Sequence, residues 1–394
     1  TTPMNKSYKF RVFPTKAQVR TLEETIDLCR WTYNQTLAYR KNMWESEKKN
    51  VSMYDSHKLL PTWKAEKPEL KGVFSQVLQN VQERVDLAFK AFFRRVKNHE
   101  NPGYPRFKGR GNYDSFTYPQ SGFSVKDSKT LYLSKIGDIK IKLHREIEGR
   151  IKRLTVLRTI RDKWYVTFSV EQESTDTPSN NGPVVGIDLG LESFITFSDG
   201  SKVDNPRFFR SEEHLLAKKQ SRRDLLPKGS IKRSQLTKVI QRIHERIANK
   251  RSNFAHQLSH KLVTKYSVVC LENLNIKSML RDGTRGLSKS ISDASWNLLL
   301  RLISYKAESA GSKAIFVDPR NTSQMCSFCG ALVPKQLGDR IHKCPFCDLK
   351  MDRDQNAAIN ILRLGLQSVG EWSRRSLTDL IVRTNHTSHP FVET

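Results

Sequence analysis

The sequence predicts a multidomain chain of mixed class, an α+β half followed by an α/β half. Three observations predict it. Apolar residues first recur at helical three- and four-residue steps and then, from about residue 115, at every second residue. Polar, turn-forming residues at 172–182 interrupt the chain and form its best linker. Beyond them, buried-type apolar strands alternate with long helical patterns.

Residues 6–13 read as a strand. A helix is expected over 15–41, where Val19, Leu22, Ile26, Cys29, Tyr33 and Leu37 form one stripe and Thr15 is placed to cap the N-terminus. A second helix is expected over 73–97, with Leu78, Val81, Val85, Phe89, Phe92 and Val96 on one face. Pro102, Gly103 and Pro105 end that pattern. Alternation near 115–118, 131–133, 138–143, 151–159 and 163–171 predicts an antiparallel sheet or barrel. The first strand can join it, which makes the helical segment an insertion in a β domain. After the linker, strands are expected at 183–188 and 193–198, with a hairpin turn at Asp199-Gly200 leading to a third. Residues 206–262 read as helical, and strand 266–272, helix 295–309, strand 313–317 and a helix over 354–364 follow. The Ser-, Thr-, Arg- and His-rich end is expected to be a loosely held tail.

At 394 residues the chain has room for two or three domains and a real core. Its 68 Lys and Arg against 40 Asp and Glu give a formal charge of +28. A compact chain so charged repels itself unless something neutralises it, so a polyanionic partner is expected, the bland alternative being a ribosome-associated or merely basic soluble protein. No apolar run reaches the length of a spanning helix, and no signal pattern opens the sequence. Met4 is the expected native start, with Thr1, Thr2 and Pro3 left by processing or cloning.

Four of the six cysteines, Cys326, Cys329, Cys344 and Cys347, form two Cys-x2-Cys knuckles, while Cys29 and Cys270 stand alone. Paired knuckles beside free thiols fit a reducing compartment and a metal site better than a disulfide framework. Four thiolates in two tight turns suit tetrahedral zinc, and with no open position the ion would be structural. Gly330 and Pro345 suit those turns.

Three acids end or open apolar elements. Asp188 closes V-V-G-I-D, Glu272 closes V-V-C-L-E, and Asp354 lies in D-R-D-Q-N-A-A-I-N-I at a helix start. Acids that end buried strands are commonly structural caps, but three that belong to one core can converge. Converging carboxylates repel unless a cation holds them, and Mg²⁺ is the natural hard cation. Two such ions can clamp the attacking water and the leaving oxygen of a phosphodiester. Asp352 is the rival of Asp354. Asn356, Ala357, Asn360 and Ile361 favour Asp354 by placing it on the first helical turn. The basic stretch 206–262 includes Arg242, Arg246 and Lys250 at four-residue spacing, one helix face suited to phosphates. Within residues 242–251 only Glu245 opposes them.

In these motifs the chain resembles the TnpB family, transposon-encoded RNA-guided nucleases related to the type V CRISPR effectors. The resemblance rests on G-I-D-L-G (186–190), R-I-H-E-R-I-A-N-K-R (242–251), L-E-N-L (271–274) and I-S-D-A-S-W (291–296). It continues in S-Q-M-C-S-F-C-G (323–330), C-P-F-C (344–347) and D-R-D-Q-N-A-A-I-N-I (352–361). F-P-T-K-A-Q (13–18), W-T-Y-N (31–34), Q-V-L-Q-N (76–80) and P-R-F-K (105–108) extend it N-terminally. It implies a β-barrel wedge domain from 1–14 and 102–172 with a helical recognition insertion at 15–101. It further implies an RNase H-like (RuvC-like) nuclease core from 183–317 and 351–366, interrupted by a zinc ribbon at 318–350, and a disordered tail at 367–394.

The resemblance also implies a guide RNA from the transposon end and cutting of double-stranded DNA next to a short transposon-adjacent motif. Asp188, Glu272 and Asp354 fall on the family's catalytic, Mg²⁺-holding acids. Tyr54, Gln76, Gln79, Asn80 and Thr117 fall on its motif-reading positions. Gln and Asn can read adenine edges, and their bland alternative is a polar outer helix face. A monomer with its RNA, working in the cytoplasm or nucleoid of a prokaryotic cell and without a membrane, is the expected state. Two other readings stand beside this one: a catalytically idle RNA-guided repressor, and an unguided DNA transposase or recombinase.

Overall fold

The computed structural model describes residues 4–173, 179–276, 279, 281, 285–336 and 338–370. The chain divides into two compact units at 175/176, within the predicted linker stretch.

The first unit opens with β1 (Met4–Phe13), followed by α1 (Lys16–Glu47), α2 (Met53–His57), α3 (Leu60–Glu66) and α4 (Ser75–Lys97). Then come β2 (Ser115–Tyr118), β3 (Phe123–Val125), β4 (Thr130–Leu133), β5 (Gly137–Lys142), β6 (Arg150–Arg158) and β7 (Trp164–Gln172). The seven strands form one antiparallel sheet in the order β2-β6-β7-β1-β5-β4-β3. Its two end strands, β2 and β3, are consecutive in the chain, and Tyr118 Oη donates across to the Ser134 carbonyl at 2.8 Å. The sheet therefore curls into a nearly closed barrel, which leaves few unpaired edge groups.

Alternate residues fill the barrel: Tyr8, Phe10 and Val12 from β1, Ile139 and Ile141 from β5, Val166, Phe168 and Val170 from β7. The helices pack on it through the predicted stripes, Leu22, Ile26, Cys29, Tyr33 and Leu37 of α1 facing Val77, Leu78, Val81, Val85 and Phe89 of α4. Thr15 caps α1 in a full capping box with Gln18, whose amide also donates to the Asp138 carbonyl at 2.7 Å. Val96 departs from expectation. It is 46% exposed, because α4 continues past the core it packs on. Helices α2 and α3 are too short to show a period. Asn34 of W-T-Y-N and Lys108 of P-R-F-K bind each other in both directions, amide to carbonyl at 3.0 Å and backbone N–H to amide oxygen at 2.7 Å. That clamp holds the irregular segment after α4 against α1.

The second unit contains β8 (Val184–Leu189), β9 (Ser193–Phe197), β10 (Lys202–Asp204), α5 (Arg210–Asp224), α6 (Ile231–Lys265) and β11 (Val268–Glu272). It continues with α7 (Arg285–Ala294), α8 (Trp296–Ser309), β12 (Lys313–Val317), β13 (Ile341–Lys343), β14 (Lys350–Asp352) and α9 (Arg353–Ser368). Five strands form a mixed sheet, β10-β9-β8-β11-β12, antiparallel through β10, β9 and β8 and parallel from β8 through β11 to β12. The parallel strands are apolar on both faces because helices cover both. Val269 and Leu271 face a core shared with α6 and α8, whereas Val268 and Cys270 face α9.

Helix α9 lies unusually close to the sheet. A Cβ on Gly186 would run into the Ala358 carbonyl oxygen, and one on Gly365 into the Cys270 sulfur. Two expectations need correction here, besides which the linker's last residues prove anchored: the Asn180 amide donates to the carbonyls of Val263 and Tyr266 at 3.0 Å and accepts from Gly182 N–H. The helical stretch 206–262 is two helices, broken at 225–230 by Pro227 and Gly229 and restarted by the cap Ser230. The expected tail at 367–394 begins too early, because α9 runs to Ser368. Residues 371–394 lie outside the described residues.

Candidate functional site

Strand register sets the site. In the parallel pair β8 and β11, Ile187 lies opposite Leu271, so the next residues, Asp188 and Glu272, sit side by side at the carboxyl ends of neighbouring strands. In open α/β sheets that end is where ligands bind. Asp354 comes from the first turn of α9, four residues before Ala358, which rests on Gly186. The third acid therefore lies over the end of β8.

The electrostatics agree. Asp188 is held well above the usual carboxylate range, first by burial and then by repulsion from Glu272 and Asp354. Glu272 is 8% exposed and also raised by burial, with partial relief from a hydrogen bond donated by Thr322 Oγ1 at 2.5 Å. A buried carboxylate raised by neighbouring like charges, as Asp188 is, is the condition a divalent cation relieves, and an all-oxygen donor set fits a hard ion. Asp352 behaves differently. Burial opposes its ionisation, but Lys202 at 2.8 Å and the N–H groups of Asp354 and Gln355 outweigh that and hold its pKa low. It is the N-cap of α9, occupied by capping and by Lys202.

Among the described residues, only the four cysteines have ligand atoms all within 4.8 Å of one another; the carboxylates stand less tightly gathered. Sulfurs of Cys326 and Cys347 are 3.6 Å apart, and those of Cys329 and Cys344 3.5 Å. Tetrahedral zinc with bonds near 2.3 Å needs sulfurs about 3.8 Å apart, so the quartet fits that ion. Each knuckle is a turn closed by its backbone, Gly330 N–H to the Cys326 carbonyl and Asp348 N–H to the Cys344 carbonyl, both at 3.0 Å.

The basic helix face is real but not unopposed. Arg242, Arg246 and Lys250 all lie on α6 with their charged ends open to solvent. Arg246, however, pairs with Glu212 of α5 at 2.8 Å, a partner from outside residues 242–251. Neighbouring Arg251 is committed to structure. It bonds buried Asp293 of I-S-D-A-S-W at 2.6 Å, and that carboxylate also accepts the N–H groups of Phe209 and Arg210.

In the first unit, the five expected motif-reading residues separate into two groups. Tyr54 is 71% exposed, Gln79 is exposed, and Gln76 is half-buried and accepts from Ser121 Oγ at 3.1 Å. Asn80 and Thr117 are buried instead. Asn80 donates to Glu83 at 2.8 Å, while Thr117 shares a hydrogen bond with Thr155 at 2.8 Å and accepts one from Arg84 at 2.9 Å. Asn80 is therefore not on a polar outer helix face, and Thr117 lies on β2 rather than on a helix.

Sequence reasoning overlooked Thr322, Lys202 and Arg353. Arg353 Nε donates to Asp354 at 3.1 Å. Signals existed for Thr322, which stands just ahead of the first knuckle, and for Arg353, which stands between the two acids of D-R-D.

Three stretches match described families: residues 167–282 the family "Probable transposase", residues 296–361 "Cas12f1-like, TNB domain", and residues 4–49 "Helix-turn-helix domain". In the last stretch the structure has a strand and one long helix. A Streptomyces pristinaespiralis protein whose name describes an RNA-guided DNA endonuclease is 32% identical over 92% of this chain and 90% of its own length. InsQ of Escherichia coli (strain K12), with a name of the same kind, is 28% identical over 91% and 92%. Among solved structures, Cas12f1 in complex with sgRNA and target DNA superposes with a TM-score of 0.55 at 14% identity, over 91% of this chain and 98% of that one. This is a likeness of fold.

Proposed function

The chain belongs to the TnpB-like family of RNA-guided DNA endonucleases, and from that premise we propose that it binds a guide RNA and cuts double-stranded target DNA beside a short adjacent motif. One observation carries the catalytic part: the β8–β11 register that sets Asp188 beside Glu272, with Asp354 over them. We read the five-stranded sheet with its helices as an RNase H-like core, the cysteine hairpin as its zinc ribbon, the barrel as the wedge and α1–α4 as the recognition insertion. The zinc would be structural, held by Cys326, Cys329, Cys344 and Cys347. The idle-repressor reading is disfavoured because all three acids are present, and the unguided-transposase reading because the relatives' names describe guided enzymes.

Asp188, Glu272 and Asp354 would hold Mg²⁺, most simply as a pair of ions. When bound, such ions polarise the phosphodiester and sharpen a water as nucleophile. The chain's own task is to hold three carboxylates in fixed positions. Burial lowers the local dielectric and strengthens their grip on a cation. The excess of Lys and Arg, including Arg242 and Lys250, supplies sequence-independent affinity for phosphates, and base pairing reads the target. The reading includes a monomer with its RNA in the cytoplasm or nucleoid. Among the described residues no helix is long and apolar enough to cross a membrane.

The direct test is reprogramming. Protein purified with its RNA should cut a plasmid matching the guide, only with a divalent ion, and should follow a changed guide to a new site. Cutting that ignores the guide would establish the transposase reading. Guided binding without cutting would establish the repressor.

The adjacent motif should be read from the exposed part of the recognition insertion. Leu78, Val81 and Val85 face the core, which turns Gln79 outward. A Gln there can donate to and accept from one base edge, and losing such a contact costs about 1–3 kcal/mol. Gln79→Ala should therefore relax the preference about ten- to hundredfold at one or two flank positions in a randomised-flank library. An unchanged flank profile with normal folding would make Gln79 an ordinary surface residue.

A further inference from the structure

The loop between β12 and the first cysteine knuckle does more than connect. Thr322 is 1% exposed. Its single hydroxyl proton has two acceptors within reach, the Glu272 carboxylate at 2.5 Å and the Pro319 carbonyl at 3.0 Å. The carboxylate is the nearer by 0.5 Å, so it receives the hydrogen bond. The bond reaches Oε1 and leaves Oε2 available.

The donor itself is held firmly. The Thr322 carbonyl accepts from Asn360 at 2.9 Å, and the Met325 carbonyl accepts from both Asn360 at 2.6 Å and Asn356 at 2.8 Å. The Ser327 N–H donates to the Asn356 side chain at 2.9 Å. Both asparagines are fully buried on α9, the helix whose first turn carries Asp354. One continuous network therefore joins Glu272, the start of the knuckle at Cys326 and the helix of the third acid. A glutamate has three rotatable side-chain bonds, and an unanchored one would spread its carboxylate over several positions.

We infer that Thr322 is a positioning residue: its hydroxyl fixes the Glu272 carboxylate for a divalent ion and ties that carboxylate to the cysteine knuckle. The inference rests on the metal-dependent nuclease reading above. It makes the cysteine hairpin a frame for the cutting centre as well as a stable fold of its own.

The test compares Thr322→Val, which keeps the shape and removes the donor, with Thr322→Ser, which keeps the donor. Each is prepared as full-length protein with its guide RNA. Zinc content and melting temperature establish that the hairpin is intact. The readout independent of cutting is Mn²⁺ binding, followed by the loss of the free-ion electron paramagnetic resonance signal. A hydrogen bond to a charged group is lost in the valine variant, so Mn²⁺ should bind about ten- to hundredfold more weakly. The Mg²⁺ concentration for half-maximal cutting should rise in parallel, and serine should restore both to within about threefold.

Unchanged Mn²⁺ affinity in Thr322→Val overturns the inference. So does a serine variant as impaired as the valine variant, since the methyl and not the hydroxyl would then matter. Where the valine variant loses zinc, Thr322→Ala replaces it in the comparison, and equal Mn²⁺ binding by the alanine and serine variants overturns the inference equally. Failure of the underlying reading is separate: Asp188→Ala binding Mn²⁺ as tightly as the unaltered protein would remove the metal centre without any reference to Thr322.

Discussion

Replacing Asp188, Glu272 or Asp354 singly by alanine is expected to abolish target cutting while guide and target binding stay close to normal. Each substitution removes an oxygen ligand that no neighbour supplies. Loss of several kcal/mol of transition-state stabilisation corresponds to a fall of about a thousandfold or more. EDTA should have the same effect, with rescue by Mg²⁺. The geometry sharpens the comparison between the two acids of D-R-D. Asp352 caps α9 and pairs with Lys202, so Asp352→Ala should cost about 1 kcal/mol of cap stability and leave cutting largely in place. A gel assay of both variants beside a filter-binding measurement decides the matter. Full cutting by Asp354→Ala with none by Asp352→Ala would transfer the third position to Asp352.

The second large effect concerns the cysteines. Purified protein should carry one zinc per chain, and Cys344→Ser should lose it. Structural zinc contributes on the order of 10–16 kcal/mol in small zinc-binding peptides, as much as or more than the whole net stability of a typical domain. The hairpin β13–β14 is too small to persist without it. Cutting should fall steeply, while the sequence chosen for cutting stays the same, because base pairing chooses it. Elemental analysis that finds active protein free of zinc would end the claim.

Much of this arrangement is legible in the amino-acid sequence alone. The strands of the barrel announce themselves by alternation, because one face is buried and the other wet. The cysteine quartet needs only its spacing. The two strand-end acids invite suspicion because each ends a run that must be buried on both faces.

What the sequence withholds is pairing. Nothing in V-V-G-I-D or V-V-C-L-E states that Ile187 lies opposite Leu271, yet that register alone makes the acids neighbours. Lys202 answers Asp352 from 150 residues away, and Glu212 reaches Arg246 from another helix. Thr117 gives no sign in the sequence of Arg84 and Thr155, which become its partners only when the helix meets the barrel, whereas Asn80 bonds Glu83 one turn along its own helix. Other misses were avoidable. Pro227 and Gly229 mark the break in the basic helices plainly. The three residues of β3 show no usable period.

The close seat of α9 on Gly186 has a consequence in time. The strand that carries Asp188 is made early, and the helix that must lie against it is made after the whole cysteine hairpin. At 5–20 residues per second, the roughly 170 residues between Gly186 and Ala358 occupy the ribosome for on the order of 10 to 30 seconds. Closing so long a loop is also entropically slow to achieve by chance. During that interval β8 has one face without its cover, and the acid on α9 has not yet been synthesised. On the reading proposed above, a nascent chain therefore completes its barrel well before it possesses the third acid of its cutting centre.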